Sequence, residues 1–129
     1  MEAVFLFGRI LFGMFFVMSA FNHIFGLKKM SGYASSKGIP SPKLATFVTG
    51  LLLLGGGLGV VLGVYTQIAL VLLIVFLVPV TFLMHQFWTL KDPMAKATEQ
   101  VQFMKNLALL GAVLMMFLIE TPWPFALSI

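Results

Sequence analysis

The run LATFVTGLLLLGGGLGVVLGVYTQIALVLLIVFLVPVTFLMHQFW, residues 44–88, contains no Asp, Glu, Lys or Arg. A helix needs ~20 apolar residues to cross ~30 Å of hydrocarbon, so this run is too long for one crossing and suits two. Tyr65-Thr66-Gln67 is its one plausible break, uncharged and short enough for a hairpin, and it divides the run into spans at about 44–64 and 68–88. Pro79 lies inside the second span and predicts a kink there, with a carbonyl freed in the preceding turn.

Each flank adds another apolar stretch, at about 3–27 and about 103–120, the latter closed by Pro122 and Pro124. The first lacks a basic leader and a clean small-residue cleavage site, so it reads as a retained span and not as a signal peptide. Between the spans lie two polar connections. Residues 28–43 hold four lysines with Gly38, Pro40 and Pro42, and residues 91–102 hold Asp92-Pro93, a helix-start signal that suggests a short surface helix. Trp88 and Trp123 suit membrane interfaces. The fold class expected is all-α: a single unit, residues 1–129, forming an antiparallel four-helix transmembrane bundle.

Composition agrees. The chain is 60% hydrophobic and 9% charged, where a soluble domain has about a quarter of its residues charged. The net charge of +4 does not point to nucleic acid. Lys28, Lys29, Lys37, Lys43, Lys91 and Lys96 lie in the two polar connections, with Lys105 at the membrane edge, and the positive-inside rule accounts for them. The rule places both termini on the non-cytoplasmic side. Absence of cysteine excludes disulfide exchange, thiolate nucleophiles and Cys-ligated metals, and no methionine cluster is joined by His to suggest a metal site.

Within the spans, polar residues stand in two pairs of equal spacing, Arg9 with His23 and Asn106 with Glu120. Fourteen residues is close to four helical turns, so each pair lies on one face about 21 Å apart. Because spans 1 and 4 run in opposite directions, Arg9 meets Glu120 at the outer level, where an ion pair closing the bundle is expected. At the inner level His23, with Asn22 beside it, meets Asn106. His85 and Trp88 join them from span 3, on a face shared with Thr81 at i, i+4, i+7. Ionisable groups at membrane depth are a site hypothesis by default. These residues can form a hydrogen-bonded network tying helix ends together, or can supply donors and an apolar slot to a quinone headgroup. Two histidines could also ligate a b-type haem, but the bulky phenylalanines nearby weigh against it.

Gly55, Gly59 and Gly63 recur at i, i+4, i+8 with Gly56 and Gly57 beside them, a pattern that lets helix backbones approach closely. The approach serves either contact within the bundle or the seam of a homo-oligomer.

Taken with their order, five segments resemble the DoxX family of small four-span membrane proteins across nearly the whole chain. They are Arg9-Ile10-Leu11-Phe12-Gly13 with Ser19, Gly38-Ile39-Pro40, Gly63-Val64-Tyr65-Thr66, His85-Gln86-Phe87-Trp88 and Lys105-Asn106-Leu107-Ala108-Leu109-Leu110-Gly111. The resemblance implies association with membrane oxidoreductases, since similar proteins include a subunit of an archaeal thiosulfate:quinone oxidoreductase and partners of bacterial redox-stress proteins. Two departures stand out. Leu51 to Leu54 occupy the place where such proteins usually carry a glutamate before the glycines, and Gln67 replaces a basic residue. With no acid in the spans beyond Glu120, no catalytic constellation is visible. The function expected is an accessory subunit of a bacterial membrane redox system, in the cytoplasmic membrane, with a quinone-contacting inner shelf. The alternative is an assembly subunit that packs on a partner through the glycine stripe and has no ligand of its own.

Overall fold

The computed structural model describes residues 1–128, and within them the secondary structure is entirely helical. Helix α1 spans Glu2–Phe25, α2 Leu27–Ser36, α3 Pro42–Leu62, α4 Thr66–Met84 and α5 Pro93–Met116, with a single 3₁₀ turn at Phe87–Thr89. By length and composition three helices can cross a membrane: α1, α3, and α4 with its continuation to Thr89. Helix α5 carries Lys96 and Glu99 in its first half and Lys105 at its midpoint, which leaves only the stretch after Asn106 strongly apolar.

Two of the connections differ from expectation. The polar stretch after α1 is mostly helix α2, separated from α1 only at Gly26. The short surface helix and the fourth apolar stretch are one continuous helix, α5, which ends at Met116 and not at Glu120. Its start is as read: Asp92 accepts a hydrogen bond from the Ala95 amide at 2.9 Å and Pro93 fills the first turn, where its missing N–H costs nothing. Helix α4 runs on through Pro79.

Helix α3 is the centre of the molecule, packed against α1, α2 and α4, while α5 packs on α4 and the 3₁₀ turn. Small residues allow the closest of these contacts. A Cβ on Gly57 would lie 2.9 Å from the Gly13 carbonyl oxygen, and one on Gly13 would lie 2.8 Å from that of Gly57. Backbone therefore touches backbone where α1 crosses α3. On the other side of α3, a Cβ on Gly59 would lie 2.5 Å from Ala69 Cβ, and one on Gly56 2.5 Å from Leu73 Cδ2. The stripe thus serves contact within the molecule. Gly63 is not a helix-packing residue: it ends α3 in the left-handed region at φ 72°, which glycine adopts without steric cost. The closing segment crosses over it, so that a side chain there would meet Ala126.

Phe16, Leu53, Val60, Leu70, Leu73, Leu77 and Val113 form the sealed interior. Val4, Phe7, Leu11, Leu51, Val71, Val78 and Leu114 are exposed, an apolar exterior suited to lipid. Trp123 is held inside the molecule and not on its surface. It is 2% exposed and packs edge-on against Phe5, with ring centroids 5.4 Å apart.

Candidate functional site

The two polar levels lie at opposite ends of the helices, and they differ in character. At the first, Arg9 is buried and donates three hydrogen bonds to backbone carbonyls: Nε to Val61 at 3.2 Å, Nη1 to Pro124 at 2.6 Å and Nη2 to Phe125 at 3.2 Å. Its guanidinium also lies over the rings of Phe5 and Trp123, 5.7 and 6.0 Å from their centroids. The expected ion pair with Glu120 does not form, and Glu120 is exposed. The physical reason is where free carbonyls lie. The last turn of α3 and the non-helical segment after α5 both present unpaired C=O groups, and a buried fork of N–H donors satisfies them.

At the other end a cavity of about 560 Å³ opens among α1, α4 and α5, with α2 and the first turns of α3 beneath it. Phe15, Val75, Phe76, Val80 and Leu83 give it apolar walls, and Phe15, Val75 and Leu83 are also exposed on the lipid-facing surface. Ser19, His23, Thr46, Thr49, His85, Glu99, Gln102, Lys105 and Asn106 supply its polar groups. Three of the residues singled out in the sequence therefore meet at one cavity: His23, His85 and Asn106. Asn22 is exposed and does not line it. Trp88 is also outside, because α4 stops at Met84 and the i, i+4, i+7 face with Thr81 and His85 is broken there. Trp88 instead meets Phe87 and Phe103 edge-on, at centroid distances of 5.3 and 5.7 Å. The Gln86 amide donates to the Phe82 carbonyl at 2.9 Å and so satisfies one acceptor that the ended helix leaves.

Glu99 is the centre of this polar end, and it corrects the reading that Glu120 is the only acid available. It is 9% exposed. Tyr33 Oη donates to its Oε1 at 2.6 Å, His85 Nδ1 donates to its Oε2 at 2.7 Å, and Lys37 Nζ stands 3.8 Å from Oε1. One carboxylate thus ties α2, the end of α4 and α5 together. A signal for it was present in the sequence: Glu99, Gln102 and Asn106 recur at i, i+3, i+7, which places them on one face of a helix.

Burial pushes the Glu99 carboxyl up, but the hydrogen bonds from Tyr33 and His85 and the charges of His85 and Lys37 outweigh it and hold it below its ordinary 4.5. Burial, with the Glu99 hydrogen bond and charge, raises Tyr33 above its ordinary 10.0. The signs follow by linkage. Glu99, lowered in the fold, contributes stability above 4.5 that is lost as pH falls below it. Tyr33, raised in the fold, contributes stability below 10.0 that is lost as pH rises above it. Thermal unfolding in detergent across this range is expected to give a plateau with both edges. A Glu99→Gln variant is expected to lose most of the acid edge, and an unchanged acid edge in it would contradict the assignment.

His23 completes the wall. Its Nδ1 donates to the Ser19 carbonyl at 2.8 Å, and its ring meets Phe76 edge-on at 6.0 Å.

A family model described as DoxX matches residues 4–86, which covers α1 through α4 and ends before Glu99 and Asn106. The inner membrane protein YphA of Escherichia coli K12 is 29% identical over 99 residues, spanning 72% of this chain and 70% of YphA. No solved structure matches.

Proposed function

The chain belongs to the DoxX family of integral membrane proteins, and from that premise we propose that it is an accessory subunit of a bacterial inner-membrane redox system whose cavity receives a quinone ring. The similarity to an inner membrane protein supports the location. The lysine bias supports termini on the non-cytoplasmic side, with the apolar second half of α5 as a fourth crossing.

The observation that carries the reading is the cavity itself. Its volume of about 560 Å³ lies in the range of small-molecule sites, and its walls are apolar with a few convergent polar groups. The exposure of Phe15, Val75 and Leu83 at its rim gives a ligand with an apolar tail a route from the lipid. Asn106 and Lys105 supply donors from α5, and the two imidazoles stand on α1 and at the end of α4. The glycine stripe does not favour the alternative assembly role, since Gly56, Gly57 and Gly59 face the molecule's own helices.

Equilibrium dialysis of the detergent-solubilised chain against decyl-benzoquinone tests the proposal. One saturable site is expected, and Lys105→Ala and Asn106→Ala, which remove the donors from α5, are each expected to weaken it about tenfold, the worth of one lost hydrogen bond. Binding that neither substitution changes would remove the cavity as the site.

A further inference from the structure

We infer that the cavity prefers the reduced, dihydroxy form of the ring to the dione. This rests on the reading of the cavity as a quinone site and adds which redox form it holds.

The inference comes from which imidazole nitrogens are already committed. Ser19 offers His23 only a carbonyl oxygen, so His23 Nδ1 must carry the hydrogen of that 2.8 Å bond. Glu99 offers His85 a carboxylate that already accepts from Tyr33 and faces Lys37, so His85 Nδ1 carries the hydrogen as well. In a neutral imidazole, a hydrogen on Nδ1 leaves Nε2 as a lone-pair acceptor. Neither Nε2 has a partner among the described residues, and neither is sealed from the surroundings. With both imidazoles in the neutral form, two rings on the cavity wall thus present acceptors.

The hydroxyls beside them have the same bias. Thr46 Oγ1 gives its hydrogen to the Pro42 carbonyl at 2.7 Å, and Thr49 Oγ1 gives its own to the Ala45 carbonyl at 2.8 Å, leaving lone pairs. On the α5 side the bias is weaker: Asn106 can serve either kind of oxygen, and Lys105 Nζ, which gives one of its three hydrogens to Gln102 Oε1 at 2.7 Å, keeps others for a carbonyl. A dione brings only acceptors, and would set its oxygens against the imidazole lone pairs. A ring with two hydroxyls brings the donors that these nitrogens lack, and an unmet buried partner is the costly outcome.

The test is equilibrium binding to the purified full chain, under anaerobic conditions, of decyl-benzoquinone and of the same compound reduced by dithionite, with menadione and menadiol as a second ring class. The hydroquinone is expected to bind about tenfold more tightly than the dione in each class, and His85→Leu and His23→Leu are each expected to bring that ratio towards one. A wild-type ratio at or below one, with binding of both forms measured, overturns the redox preference and leaves the cavity reading standing. Binding of neither form overturns both. The wild-type ratio decides the matter even if a variant does not fold.

Discussion

An Arg9→Ala variant is expected to lose roughly 3–5 kcal/mol of stability, the cost of removing one partner from a buried, charge-assisted arrangement. The reasoning is local. Arg9 is 3% exposed and its three hydrogen bonds go to carbonyls of Val61, Pro124 and Phe125. Removing the guanidinium leaves those acceptors without donors in an apolar setting, where water does not replace them easily. It also withdraws the cation from Phe5 and Trp123. Because two of the three bonds hold the segment after α5, release of that segment is expected along with the lower melting temperature. Thermal unfolding in detergent and limited proteolysis read these separately. An Arg9→Lys variant keeps the charge but cannot span three carbonyls with a planar fork, so partial loss is expected. An Arg9→Ala variant that melts with the wild type and resists proteolysis after Met116 would refute the clamp. A Glu120→Gln variant is expected to match the wild type, because Glu120 is exposed and takes no part in it.

The second large effect is expected at Glu99. Glu99→Ala removes the acceptor of both Tyr33 and His85, at a cost of roughly 2–4 kcal/mol for two hydrogen bonds to a charged group of low exposure. It also frees the His85 ring, whose orientation depends on the 2.7 Å bond to Oε2. Affinity for the reduced ring is therefore expected to fall at least as far as in His85→Leu. Helix α2 is expected to loosen as well, since Tyr33 and Lys37 reach α5 through this carboxylate. Hydrogen exchange of α2 amides reports that loosening directly. If Glu99→Ala leaves both ligand binding and α2 protection unchanged, the carboxylate does not organise the site.

Hydropathy made the crossing helices legible. Residues 2–25, 42–62 and 66–84 are long, apolar and broken by Gly63 or polar connections, so α1, α3 and α4 appear in the sequence with small errors at their ends. Polar helices were harder. Asp92-Pro93 marked the start of α5 as a helix, but nothing in the composition of residues 28–43 separates α2 from a loop, and the charges of both polar stretches read as those of a membrane surface. Glu99 was overlooked for that reason, although its spacing with Gln102 and Asn106 marks a shared face. Arg9 was misassigned for a different one. A pairing of side-chain charges can be read from sequence, whereas unpaired backbone carbonyls at Val61, Pro124 and Phe125 become acceptors only once the chain has turned back on itself. Trp88 was placed on a face by assuming that α4 continued past Met84. The depth of His23, His85 and Asn106 came out of spacing alone, and the cavity at which they meet did not.

Photoaffinity labelling with an azido-quinone, followed by peptide mapping, tests the cavity most directly. Labelled positions are expected at Phe15 to His23 of α1, Val75 to His85 of α4 and its end, and Glu99 to Asn106 of α5, with loss of label when excess decyl-benzoquinone is added. Label spread over the lipid-facing helices without competition, or confined to the Arg9 end, would contradict the site.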